Sequence, residues 1–271
     1  MSALLSGETV TFDRASVALV SGAASGIGDA TVRRLIADGV GGVVLVDRDH
    51  EKLARVGSAL SLPAARVQLC VHDVADENAW VETAREVQTR FGRLDYAVAN
   101  AGVSDAGTIA EFPFERWRRV LSVNLDGVFL TLKTAMPLIK VGGRGGAIVV
   151  VSSVSGVKAE PGVGAYGASK AAAVQLAKVA AKEGAPDRIR VNAILPGGVE
   201  TPIWREMPFF QDLIAQHGSE AAAFAVMAKM ATPLGRYARA DEIAAQIAHL
   251  LSDDSDLVTG AALVIDGGYS L

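Results

Sequence analysis

Residues 17–28 read Val17-Ala-Leu-Val-Ser-Gly-Ala-Ala-Ser-Gly-Ile-Gly28. An unbroken apolar run suits a strand buried on both faces. The turn Ser21 to Gly28 follows at once, and a helical pattern continues from near Ile27. Gly22, Gly26 and Gly28 allow a tight turn and let a pyrophosphate approach the backbone. Ser25 and Ile27 lie at the start of the helix, whose free N–H groups and positive dipole end favour an anion. The spacing is GxxxGxG, not GxGxxG. Alone, this loop also fits a glycine-rich turn without a ligand.

Outward from this unit the same alternation recurs. Apolar runs at 43–46, 67–71, 96–99, 147–151, 190–194 and 262–265 alternate with helical patterns at 29–38, 78–91, 114–137 and 166–183. Such alternation predicts βαβ units and a parallel sheet with right-handed crossovers. The expected fold is α/β: a single-domain Rossmann fold, doubly wound, with seven parallel strands and helices on both faces. Residues 1–271 show no domain boundary. The longest break, 201–236, carries its own helical patterns at 211–216 and 219–230 and reads as an insertion over the site.

Composition agrees with one large core. Half the 271 residues are hydrophobic, 21% are charged, and the net charge is -4. That mild acidity offers no basic face for nucleic acid. No apolar run approaches the ~20 residues of a membrane span. The N-terminus lacks a signal-peptide pattern. The single cysteine, Cys70, sits in an apolar run and reads as a buried, inert thiol. A soluble, cytoplasmic protein is expected.

In doubly wound sheets, ligands bind beyond the carboxyl ends of the strands. Asp47 ends the second run, about 20 residues past the glycine loop, where a carboxylate accepts both ribose hydroxyls of an adenosine. It would repel a 2′-phosphate. Arg48 offers such a phosphate a partner, but no basic residue lies within the loop, which favours NAD over NADP. Asp73 and Val74 follow the third run, with Asp73 placed for an adenine amino group. Asn100, Ala101 and Gly102 follow the fourth. Each segment alone also fits ordinary turn chemistry.

Ser153 to Lys170 reads SVSGVKAEPGVGAYGASK. Tyr166 and Lys170 share a helix face at i and i+4. An ammonium beside a phenol favours the phenolate and lowers a pKa that is ordinarily ~10. A base tuned in this way removes a proton from an alcohol.

These residues together resemble the short-chain dehydrogenase/reductase family. The resemblance rests on SGAASGIG, Asp73-Val74, Ala99–Gly102, Asn124, Ser153, Tyr166–Lys170, Pro196-Gly197 and the closing VTGAALVIDGG. Ser21 stands for the usual threonine. Ala99 replaces an asparagine and loosens one local hydrogen bond. The resemblance implies that Tyr166 is the general acid/base and that Lys170 lowers its pKa and holds the nicotinamide ribose. Ser153 would donate to the substrate oxygen. Asn124, mid-helix, would bind a water linking Lys170 to solvent. Ser152 also precedes Tyr166, but Ser153 has the family spacing. Pro196, Gly197, Val199 and Thr201 would wrap the nicotinamide, with Val199 main-chain groups and the Thr201 hydroxyl on its carboxamide.

The expected reaction is reversible oxidation of a secondary alcohol to a ketone with NAD. No metal is required: His50, His72, His217 and His249 show no ligand spacing and read as scattered surface residues. Trp204, Met207, Phe209, Phe210, Phe224, Met227 and Met230 give the 201–236 segment an apolar character. Contact of some of these with a bulky hydrophobic or cyclic alcohol is expected; packing on the protein body is the alternative. Two other functions compete, an NADPH-dependent 3-oxoacyl-thioester reductase and a non-catalytic NAD-sensing protein. The presence of Asn124, Ser153, Tyr166 and Lys170 favours catalysis. By the same resemblance, the helices at 114–137 and 166–183 and the last strand imply a homotetramer.

Overall fold

The computed structural model describes residues 12–271. In chain order its elements are β1 (Val17–Ser21), α1 (Gly26–Ala37), β2 (Gly42–Asp47), α2 (His50–Ser58), β3 (Val67–Val71), α3 (Glu77–Phe91) and β4 (Tyr96–Ala99). Next come α4 (Phe114–Leu121), α5 (Gly127–Gly142), β5 (Gly146–Val151), α6 (Gly164–Gly184), β6 (Ile189–Pro196) and β7 (Val199–Glu200). The chain ends with α7 (Pro208–His217), α8 (Glu220–Ala231), β8 (Ala238–Arg239), α9 (Ala240–Leu251) and β9 (Ala262–Ile265).

Seven strands form one parallel sheet in the order β3-β2-β1-β4-β5-β6-β9. This is the expected doubly wound α/β sheet. The chain runs outward from β1 to β3, then crosses back to place β4 on the other side of β1. That reversal opens a crevice at the carboxyl ends of β1 and β4, where ligands bind in such sheets. Residues 22 and 100 both border it.

Strand alternation divides the core in two. Leu19, Val44, Ala97 and Ile148 pack with Trp80 of α3, Leu132 and Ile139 of α5, and Ala177 of α6. Val20, Val43, Val98 and Val149 face the other way, onto Leu35 of α1, Leu53 of α2 and Ile247 of α9. Burying these aliphatic side chains contributes roughly 1.5–3 kcal/mol each. Side chains also set the helix ends. Asp49 accepts from the Lys52 N–H to cap α2, and Asp76 accepts from Asn78 and Ala79 to cap α3.

Two expectations need correction. The helix expected at 114–137 is two helices joined by a π-turn at Ser122–Asp126, and the second continues through Pro137 to Gly142. Leu138 and Ile139, buried beyond the proline, hold that last turn despite its missing N–H. The 201–236 segment folds around its own apolar cluster: Phe210, Ala223, Phe224 and Ala228 pack with Tyr237. Phe210 and Phe224 therefore face inward, and Met230 is exposed to solvent. Among the described residues, no helix is long and apolar enough to cross a membrane.

Candidate active site

A cleft of about 610 Å³ runs along the carboxyl ends of the strands. It is lined by every nominated site residue except Gly28 and Asn124. Both of those act behind its wall.

The glycine loop is shaped by close packing. Gly22 and Gly26 have φ of 65° and 55°, in the left-handed region where glycine is favoured. A Cβ on Gly28 would lie 2.0 Å from the Gly22 carbonyl oxygen, so α1 can start here only without a side chain. The Ser25 side chain makes no capping hydrogen bond. The first N–H groups of α1 have no intrahelical acceptor. Ser21 stitches the loop to β4: its hydroxyl donates to Val98 and accepts from the N–H groups of Asn100 and Ala101. The Asn100 amide donates to the carbonyls of Ser21 and Gly22. Asn100 thus serves the shape of the loop. The retained hydroxyl at Ser21 matters for the same reason.

Asp47 is fixed at the end of β2. One carboxylate oxygen accepts from Ala24 N–H and the other from Asp49 N–H, both at 3.0 Å. Arg48 beside it is exposed and makes no hydrogen bond or ion pair among the described residues. Asp73 accepts from the Ala75 N–H. His72 corrects an expectation: it is half-buried, lines the cleft, and bridges the Asp73 carbonyl and the Thr83 hydroxyl. Its edge-on contact with Trp80, at 5.1 Å, explains its place inside the fold. Val74 is buried, and its carbonyl accepts from the Trp80 indole.

At the other end of the cleft, Ser153 ends β5 and Tyr166 and Lys170 ride α6. The Lys170 ammonium lies 5.8 Å from the Tyr166 ring centroid. It donates to the Val151 carbonyl at 2.9 Å and is 3% exposed. Burial pushes its pKa down to about 8. Burial also pushes the Tyr166 phenol up, and a hydrogen bond with the Ser153 side chain works the other way. The expected lowering of Tyr166 by Lys170 is thus not what the structure shows. With the ammonium turned to Val151, desolvation favours the neutral form of both groups. Ser152 has a separate task, donating to the Lys170 carbonyl and holding α6 against β5.

Asn124 lies on the π-turn and is fully buried. Its carboxamide accepts from the Val103 N–H and donates to the Val103 carbonyl and the Ser169 hydroxyl. Ser169 in turn donates to the Tyr166 carbonyl. A Cβ on Gly102 would sit 3.3 Å from Lys170 Nζ and 3.4 Å from Asn124 Oδ1. The glycine therefore brings this backbone against the catalytic group.

Thr201 and Val199 are also placed at the cleft, but the Val199 carbonyl is already engaged. It accepts from the Trp204 indole at 2.8 Å and from the Thr201 hydroxyl at 3.4 Å. Gly197 has no room for a side chain: a Cβ would lie 2.8 Å from Asp266. Trp204, Met207 and Phe209 line the cleft, whereas Phe210, Phe224, Met227 and Met230 do not. Sequence reasoning missed Glu160, Tyr237 and Tyr269, which also line it. Tyr269 follows the glycine pair after the last strand, and the rule that placed the other post-strand residues applied to it too. Cys70 is buried, and its thiol is pushed up to about 11 by that burial.

The residues fit a dinucleotide. The glycine cradle and helix start suit phosphates, Asp47 suits a ribose diol, and the cleft is continuous from there to Tyr166. Among the described residues, no cluster of His, Cys, Asp or Glu could hold a metal ion. A cleft of this shape with a serine, a tyrosine and a lysine at one end defines a dinucleotide-linked oxidoreductase.

Comparison with known proteins refines that class. The family model for enoyl-(acyl carrier protein) reductase matches residues 22–270. The chain belongs to the short-chain dehydrogenase/reductase family. It is 38% identical to a 3-oxoacyl-[acyl-carrier-protein] reductase of Thermotoga maritima, over 93% of this chain and 96% of that one. Identity is also 38% to a cis-4-hydroxycyclohexanecarboxylate dehydrogenase of Sinomonas cyclohexanicum, over 94% and 96%. Among solved structures, carveol dehydrogenase from Mycobacterium avium in complex with NAD superposes with a TM-score of 0.87 at 32% identity, covering 94% and 97%. L-sorbose reductase from Gluconobacter frateurii, complexed with NADPH and L-sorbose, superposes at 0.88 with 27% identity, covering 96% and 98%.

Proposed function

We propose that this protein interconverts a secondary alcohol and a ketone, using NAD(H), on a bulky hydrophobic or cyclic substrate. The observation that carries the reading is the grouping of Ser153, Tyr166 and Lys170 at one end of a cleft whose other end is the glycine loop and Asp47. NAD, when bound, supplies the hydride acceptor. Tyr166 takes the alcohol proton on its phenolic oxygen. Ser153 donates to the substrate oxygen where negative charge develops. Lys170 holds the nicotinamide ribose, and the Asn124–Val103 bonds keep the wall behind it in place.

The preference for NAD rests on Asp47. Its carboxylate is fixed by two backbone N–H groups beside the loop, where a 2′-phosphate would meet a like charge. Arg48 is the feature on the NADP side. The apolar substrate rests on Trp204, Met207 and Phe209 at the cleft, and the cyclic-alcohol relatives point the same way. A panel of secondary alcohols assayed with NAD and with NADP tests both points. Tyr166→Phe with full turnover on an alcohol the parent oxidises would overturn the chemistry.

Residues 1–271 form one dinucleotide-binding and catalytic domain in this reading, with 201–236 as its substrate lid. We also propose a homotetramer. Phe114 and Phe129 are exposed along α4 and α5, and Val264 is exposed on the edge strand β9. Light scattering at micromolar concentration tests the assembly, and a monomer mass would count against it.

A further inference from the structure

The chain's last turn is held from two sides. Within residues 266–270, Asp266 accepts from the N–H groups of Gly268 and Ser270, and Gly267 and Gly268 take φ of 63° and 88°. On one side, the Leu234 N–H at the foot of the lid donates to the Gly267 carbonyl at 3.1 Å. On the other, Lys158 Nζ donates to the Tyr269 carbonyl at 2.7 Å and lies 3.7 Å from the Tyr269 ring centroid. A cation this close to a ring face is a favourable contact. Lys158 also pairs with Glu160 at 3.2 Å, and the Tyr269 hydroxyl faces that carboxylate.

Lys158 itself is anchored, since its N–H donates to the Val154 carbonyl, next to Ser153. The last turn therefore spans from the Ser153 loop to the lid. Tyr269 and Glu160 line the same cleft as Ser153, Tyr166, Trp204 and Met207. We propose that Tyr269 selects substrates by size, and that Lys158 is the positioning residue that holds its ring at the cleft. The proposal rests on the alcohol-dehydrogenase reading and names a residue that sets its substrate range.

The test compares a small alcohol, cyclopentanol, with a bicyclic one, borneol, in the parent, Tyr269→Ala, Lys158→Met and Lys158→Arg. Tyr269→Ala is expected to raise the borneol-to-cyclopentanol ratio of kcat/KM by about tenfold, mainly through KM. Lys158→Met shifts the ratio in the same direction, and Lys158→Arg, which keeps a cation over the ring, restores the parent ratio. A ratio unchanged within about twofold in Tyr269→Ala, or an equal loss on both alcohols, overturns the proposal. A second measurement needs no turnover. Carboxypeptidase Y, followed by intact mass, is expected to release Tyr269 at least about fivefold faster from Lys158→Met than from the parent. Equal rates would overturn the clamp. A parent that oxidises no alcohol defeats the alcohol reading, and the release rates then still judge the clamp.

Discussion

The Asn124 carboxamide grips the Val103 peptide at both ends, accepting from its N–H at 2.8 Å and donating to its carbonyl at 2.9 Å. Asn124 is fully buried, so no solvent replaces these bonds. Asn124→Ala leaves two backbone groups unpaired, at about 1–3 kcal/mol each. The expected result is a urea midpoint lowered by a matching amount and activity down at least about tenfold. An unchanged midpoint would show that Val103 finds other partners.

Lys170 opposes stability in order to serve the site. Its folded pKa, about 8, lies below the ordinary value of 10.5. The folded state then binds fewer protons than the unfolded state between those values, so stability rises with pH across that window. Below about pH 8 the full cost applies, about 3 kcal/mol by linkage. Lys170→Met removes that cost but also removes the bond to the Val151 carbonyl, worth about 1 kcal/mol. The variant is expected to be inactive yet more stable than the parent at pH 7, with the gain vanishing above pH 10.5. Denaturant melts across that range provide the check.

The direction of the reaction follows the Tyr166 proton. Burial raises this phenol above its ordinary value, so the neutral form dominates near pH 7. Oxidation needs the phenolate, and its kcat/KM is expected to rise about tenfold per pH unit on the acid side. Ketone reduction uses the phenol and stays flat over that range. Ser153 is the neighbour that lowers Tyr166, so Ser153→Ala should move the oxidation limb to higher pH. A pH–rate profile with the limb unmoved would deny Ser153 that influence.

Gly28 is expected to tolerate no side chain. Gly28→Ala would place a methyl group 2.0 Å from the Gly22 carbonyl oxygen, backbone against backbone. The loop must shift, and NADH affinity is expected to fall at least about tenfold with a smaller loss of stability. Fluorescence titration with NADH measures the first and a thermal melt the second.

The strands were legible because each is a short apolar run buried on both faces, as at Val17–Ser21. Most site residues were legible because the doubly wound sheet collects its ligands where those runs end. What stayed hidden depends on packing between distant segments. The π-turn at Asn124 leaves no mark in hydrophobic spacing. His72 read as a surface residue because nothing local announces its contact with Trp80. The lid's aromatic residues could face the cleft or each other, and periodicity does not separate Phe209, at the cleft, from Phe210, in the lid core.

The π-turn also fixes the length of the chain. Residues 122–126 hold one residue more than an α-helical turn would. Each residue advances a helix by roughly 100°. Deleting any one of the five would let α4 and α5 merge into an unbroken ladder, but out of phase by that angle. Asn124 would leave Val103, or Val128, Leu132 and Ile139 would swing away from the sheet they now cover. Losses and gains of single residues are therefore barred from this helix, whereas the lid at 201–236, packed on its own cluster, has room to vary in length.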